Sequence, residues 1–136
     1  MLDGKITNTQ YVALVVDDEE DLRLLMQMTL KRLGVACRTA ENIQQAKQLL
    51  SEHEFNLCLT DLNLPDGNGI ELVQFINQNY TGLPVAVISA YGNMDVAIAS
   101  LKAGAFDFVS KPIQQPQLKA LLEQALNSNI HPISHL

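Results

Sequence analysis

Five short apolar runs recur along the chain: YVALVV (11–16), VACRTA (35–40), FNLCLTD (55–61), LPVAVISA (83–90) and AFDFVS (105–110). Each is followed by a longer stretch whose apolar residues return every three to four positions. The runs have the length and content of strands, and the stretches between them have the period of amphipathic helices. Strands that alternate with helices at this spacing form βαβ units and a parallel sheet covered on both faces. The predicted fold class is α/β: a doubly wound, five-stranded parallel sheet in the order 2-1-3-4-5, flanked by five helices.

Local signals place the helices. The first is predicted over about residues 19–33, with Leu22, Leu25, Met26, Thr29 and Leu33 on one face and Gly34 as its stop. Asn42 reads as the N-cap of a second helix carrying Ile43, Ala46, Leu49 and Leu50 inward. A third helix follows over 70–79, and a small-residue helix over 94–103 ends at Gly104. The last runs over about 116–127, with Leu118, Leu121, Leu122 and Ala125 facing the core. The predicted organisation is an N-terminal extension (1–10), one folded domain (11–127) and a polar, proline-broken tail or linker (128–136).

The 136 residues suffice for one domain with a core that needs no metal or disulfide staple. A net charge of -6 repels phosphates and anionic lipid, so this domain is expected to bind neither nucleic acid nor membrane directly. Cys37 and Cys58 both lie in apolar runs and read as buried free thiols of a reducing compartment. The opening MLDGKITNTQ lacks the apolar core of a signal peptide, and no apolar run is long enough to span a bilayer. The expected location is cytoplasmic.

The functional signal lies in how the apolar runs end. The first ends on Asp17 and Asp18, the third on Asp61, the fourth on Ser89, and the fifth is followed by Lys111 and Pro112. In a doubly wound sheet the carboxyl ends of neighbouring strands line the ligand crevice, so these groups converge. Asp17 and Asp18 alone would equally well begin a helix, where acids favour the positive end of the dipole. Three carboxylates in one pocket, however, require compensating charge, because two unit charges ~4 Å apart repel by about 4 kcal/mol at an effective dielectric near 20. Lys111 offsets one charge, and a divalent cation with all-oxygen ligands, Mg2+ or Ca2+, offsets the rest; an open site with few carboxylates suits Mg2+. With the Ser89 hydroxyl and the Lys111 ammonium as donors to phosphoryl oxygens, the pattern predicts phosphoryl transfer onto Asp61 as nucleophile.

The motifs VVDDEE, LTDLNLPDGNG, VISAYG and FVSKP resemble, in order and spacing, those of the receiver domains of two-component response regulators, which share the flavodoxin/CheY-like sheet. The resemblance spans residues 11–127. Within that family, AYGNMDVAIASLKAGAFDFVSKPI and FNLCLTDLNLPDGNGIELVQFI look most like receivers of NtrC-type (sigma-54-dependent) transcription activators, those of type IV pilus regulators included. The resemblance implies that Asp61 is the phosphoacceptor, charged by a sensor histidine kinase, and that Asp17, Asp18, Asp61 and the backbone carbonyl of Asn63 hold Mg2+. It implies that Ser89 contacts the phosphoryl group, that Lys111 pairs with it, and that Phe108 is the aromatic switch coupled to Ser89. It further implies a cis Lys111–Pro112 bond, and a homodimer through the face of the fourth helix, fifth strand and last helix when phosphorylated. The output would be transcription, through attached AAA+ ATPase and DNA-binding domains. This chain has no GxxxxGK[ST] motif, so the reading is a receiver, excised or free-standing, that is a switch and not an enzyme beyond its own phosphotransfer and autodephosphorylation.

Three other readings fit less of the chain. A small aspartyl-phosphate phosphatase wants a second acid two residues after its nucleophile, where Asp61 is followed by the amide Asn63. A flavin-binding domain would place its phosphate at DDEED, which repels it. A degenerate receiver would signal by binding alone.

Overall fold

The computed structural model describes residues 11–130, with side chains described through residue 126. Elements follow in the order β1 (Val12–Val16), α1 (Glu20–Arg32), β2 (Ala36–Ala40), α2 (Ile43–Glu52), β3 (Leu57–Asp61), β4 (Asn63–Leu64), β5 (Gly67–Asn68), α3 (Gly69–Asn79), β6 (Val85–Ser89), α4 (Met94–Ala103), β7 (Asp107–Ser110) and α5 (Gln115–Ile130). The main sheet is wholly parallel in the order β2-β1-β3-β6-β7. With β6 and β7 as the fourth and fifth sheet strands, this is the predicted 2-1-3-4-5 order. The two extra labels belong to a small antiparallel hairpin, β4–β5, inside what the sequence presents as a plain turn.

Alternation along each central strand divides the core into two layers. Leu14 and Val16 of β1 join Cys58, Val85 and Val87 against Ile43, Ala46 and Leu50 of α2 and Leu72, Val73 and Ile76 of α3. Ala13 and Val15 point the other way, with Leu57, Leu59, Ala86 and Ile88, against Leu30 of α1 and Leu118, Leu121, Leu122 and Ala125 of α5. Every residue of β3 and β6 is buried, whereas β2 is an alternating edge strand. Both free cysteines lie in strands; Cys58 is buried and Cys37 half-buried, and burial pushes the Cys37 thiol up to about 12.

Asparagine caps set three helix starts. Asn42 Oδ1 accepts from Gln45 N at 2.7 Å, Asn68 Oδ1 from Ile70 N at 2.8 Å and Asn93 Oδ1 from Val96 N at 2.9 Å. After α1, Gly34 takes φ 88°, a left-handed stop that the sequence predicts.

Cys37, expected buried, is only half-buried, and two further expectations change. Leu25 is 58% exposed and Leu30 is the α1 residue fully buried; Leu22, Met26, Thr29 and Leu33 are half-buried with it. The inward stripe therefore passes through Leu30, leaving Leu25 at the margin of the groove beside α5. Helix α5 continues through Ile130 instead of ending at Asn127, because Asn127 and Ser128 carry no glycine or proline to break the helix before Pro132. The predicted extension (1–10) and the remainder of the tail (131–136) lie outside the described residues.

Ile76 is fully buried whereas Leu24 is 55% exposed. Ile76→Ala is expected to lower stability by about 2–5 kcal/mol, and Leu24→Ala to stay within about 0.5 kcal/mol of the parent. Urea denaturation of both variants checks the assignment of the two faces.

Candidate functional site

Each charged group at the crevice is set by the strand that carries it. Asp61 is the last residue of the fully buried β3 and is 8% exposed. Asp17 follows β1, is 6% exposed, and is fixed from the neighbouring edge strand because its N–H donates to Ala40 O at 3.0 Å. Lys111 follows β7, and its N–H donates to Ser89 O at 2.9 Å. The Lys111–Pro112 peptide is cis, as the resemblance implies. Asp18 begins the turn into α1 and is exposed.

These groups meet. Lys111 Nζ donates to Asp17 Oδ2 at 2.7 Å and to Asp61 Oδ2 at 3.0 Å. Glu19 lies at the rim, 3.9 Å from the same ammonium and largely exposed. Asp17, Asp18 and Asp61 each present a carboxylate oxygen within 4.8 Å of the others. The remaining bonds hold the acids in place: Asp17 Oδ1 accepts from Glu19 N at 2.9 Å, Asp61 Oδ1 from Leu62 N at 2.7 Å, and Arg23 Nη1 donates to the Asp17 carbonyl at 2.8 Å.

Burial pushes the Lys111 pKa down, but hydrogen bonds to Asp17 and Asp61, together with their charges, outweigh it and raise the net value. The ammonium is therefore firmly charged. One ammonium among three carboxylates leaves negative charge in excess, and the unmet donor set consists of oxygens alone. Such a set favours a hard divalent cation over zinc or copper. The acidic cluster fits such an ion.

The other predicted residues stand around this cluster. Ser89 ends β6, next to Asp61's register partner Ile88; it is fully buried, and its Oγ accepts from Tyr91 N at 3.1 Å. Phe108 lies on β7 opposite Val87 and is half-buried. Asn63 opens the β4–β5 hairpin, two residues beyond Asp61.

Three further residues, to which the sequence assigns no part in the site, carry structural demands. At Gly69 a Cβ would fall on the Asp61 carbonyl oxygen, and the Gly69 N–H donates to Leu62 O at 2.6 Å; no larger residue lets helix α3 start so close to the acidic strand end. At Gly92 a Cβ would stand 2.5 Å from two atoms of the Phe108 ring, so the ring is seated on that backbone. Asp66, at the hairpin tip, bonds to α2. The glycines are legible as small residues, but their neighbours come from elements distant in sequence.

A family model described as the response regulator receiver domain matches residues 13–123. The chain is 51% identical over 114 residues to the response regulator protein PilR of Pseudomonas aeruginosa, covering 84% of this chain and 26% of that protein. It is 31% identical over 113 residues to the DNA-binding transcriptional regulator NtrC of Escherichia coli K12, covering 83% and 24%. It thus spans about a quarter of the length of these relatives. Among solved structures, the beryllofluoride-activated NtrC4 receiver domain dimer superposes with a TM-score of 0.73 at 30% identity, covering 91% of this chain and 97% of that one. The strand order, the acidic cluster around a strand-borne lysine and the match across most of the chain lead to one conclusion: this chain belongs to the receiver domain family of two-component response regulators, of the NtrC/PilR type.

Proposed function

We propose that this domain takes a phosphoryl group from a phosphohistidine of a sensor histidine kinase onto Asp61, with Mg2+, and thereby controls an output that is transcription in the whole regulator. The observation that carries the reading is the position of Asp61, which closes the central strand β3 with Lys111 Nζ 3.0 Å from its Oδ2. A nucleophilic carboxylate here is held by rigid backbone, flanked by the cation its product needs.

In this reading an Asp61 carboxylate oxygen attacks phosphorus, the P–N bond to the imidazole breaks, and the imidazole departs with the electron pair. Asp17 and Asp18, with Asp61 and the Asn63 carbonyl, would hold the metal ion. Bound Mg2+ supplies positive charge for the equatorial phosphoryl oxygens. Lys111 moves from the Asp61 carboxylate to a phosphoryl oxygen, and the Ser89 hydroxyl leaves Tyr91 N to donate to another. Phe108 then responds to the vacated space, altering the face of α4, β7 and α5.

That face has the composition of a partner surface. Tyr91 (76%), Met94 (74%), Ile98 (43%) and Leu101 (47%) are exposed apolar residues along α4 and the loop before it, which supports pairing with a second copy after phosphorylation. A separate exposed set, Leu24, Leu25 and Met28 on α1, of which Leu25 lines the crevice, supports docking of the kinase. No helix among the described residues is long and apolar enough to cross a membrane; a cytoplasmic site of action follows from the proposed kinase partner.

Incubation with acetyl phosphate and Mg2+, followed by intact mass measurement, is expected to add one phosphoryl group to the wild type and none to Asp61→Asn. An adduct that persists in Asp61→Asn refutes Asp61 as acceptor, and no adduct on the wild type at any Mg2+ concentration refutes phosphotransfer.

Lys111 generates a stability prediction. Lys111→Met leaves Asp17 and Asp61 without their ammonium, and a loss of about 3 kcal/mol is expected in EDTA at neutral pH, partly restored by Mg2+. The raised Lys111 pKa means its stabilisation is complete below the ordinary value of 10.5 and is lost as pH rises through the higher folded value. The difference between wild type and variant is therefore expected to be flat near neutrality and to shrink in alkali, as urea denaturation across pH will read.

A further inference from the structure

The β3–α3 connection is tied to a helix that takes no part in the acidic cluster. Asn63 pairs with Asn68 and Leu64 with Gly67, so Pro65 and Asp66 form the two-residue tip of a hairpin rooted beside Asp61. At that tip the Asp66 carboxylate straddles the start of α2: Oδ1 accepts from Ile43 N at 2.8 Å and Oδ2 from Gln44 N at 3.0 Å. The third first-turn donor, Gln45 N, is taken by the helix's own cap, Asn42. Thus three of the four orphan N–H groups of α2 are satisfied, two of them by a residue 22 or 23 positions away.

Two independent contacts bind the same pieces. A Cβ on Gly67 would stand 2.9 Å from Ile43 Cδ1, so the first residue of α2 packs directly on the hairpin backbone. Leu64 of the hairpin is buried in the same cluster as Ile43, Ala46 and Leu62. At the other end, the hairpin root is pinned by Gly69 N donating to Leu62 O at 2.6 Å. The Asn63 carbonyl therefore lies on a strut fixed at its root to the Asp61 strand end and at its tip to α2. The carboxylate sits at the positive end of the α2 dipole, where an anion is favoured, and the Ile43 N–H leads the influences that hold its pKa below the ordinary carboxylate range.

The geometry points to Asp66 as a positioning residue for the metal site: by clamping the hairpin tip to the α2 N-terminus it fixes the Asn63 carbonyl for Mg2+, and it couples metal binding to the order of α2. It touches neither ion nor phosphoryl group. This rests on the metal-dependent reading above, and coupling of this kind is reciprocal. Mg2+ bound at the acidic cluster tightens the start of α2, and loosening that contact weakens Mg2+.

Mg2+ titrations followed by amide chemical shifts, without phosphorylation, test the assignment on wild type, Asp66→Ala, Asp66→Asn and Asn42→Ala. Asp66→Ala is expected to weaken Mg2+ about fivefold to tenfold, within the usual range of coupling between sites. Asp66→Asn, which keeps an acceptor oxygen for Ile43 N, is expected to recover most of that loss. Asn42→Ala removes a cap from the same helix end without touching the hairpin, and is expected to stay within about twofold of wild type. Amide hydrogen exchange at Ile43 and Gln44 is expected to slow with Mg2+ in the wild type and not in Asp66→Ala. Unchanged Mg2+ affinity in Asp66→Ala, or an equal loss in Asn42→Ala, overturns the positioning role while leaving the metal site intact. No Mg2+ response in the wild type overturns both the metal-dependent reading and this one.

Discussion

One ammonium group organises the acidic end of this molecule. Lys111 Nζ lies 2.7 Å from Asp17 and 3.0 Å from Asp61, and it arrives from a different strand from either acid. Buried carboxylates that share a crevice repel one another, and the repulsion is strong where water is scarce. The lysine delivered between them offsets that repulsion where β1 and β3 end side by side. The sheet order meets that condition: β1 and β3 are neighbours, β3 pairs with β6, and β6 pairs with β7. The Lys111 N–H to Ser89 O bond then continues the β6–β7 pairing past its last residues.

The same pocket connects to two outlying parts of the fold through different kinds of contact. Toward α4 the link is a loop: Ser89 accepts from Tyr91 N, and Gly92 gives the Phe108 ring its seat. Each of these contacts joins one side chain to one backbone group. Toward α2 the link is the β4–β5 hairpin, held by two carboxylate hydrogen bonds and a packed isoleucine. The exposed apolar residues of α4 lie on the side reached through the Ser89–Gly92 loop.

The apolar surfaces of α1 and α4 belong to the same logic. An isolated domain of this size has no structural use for Leu24, Leu25 and Met28 in solvent, nor for Tyr91 and Met94. They lie on two separate elements, α1 and α4 with the loop before it. An acidic net charge of -6 keeps both faces from nonspecific attachment to polyanions.

Much of this was legible from the chain alone. Short apolar runs and period-3.6 patterns, with Gly34 and Asn42 as punctuation, determined the five strands of the main sheet, the five helices and the fold class, because burial on both sheet faces demands unbroken apolar runs. The acids and the lysine were legible as strand-end residues, since a doubly wound sheet brings those ends together whatever the details of packing. Tertiary structure alone decided the rest. Which α1 residues are buried depends on where α5 lies, so Leu30 replaced Leu25 in the core. The turn after Asp61 proved to be a hairpin because Asp66 and Gly67 meet Ile43, a partner more than twenty residues away. Gly69 and Gly92 are demanded by the Asp61 carbonyl and the Phe108 ring. Sequence patterns record which face of an element is apolar, but a close approach between two distant backbones leaves no period to read.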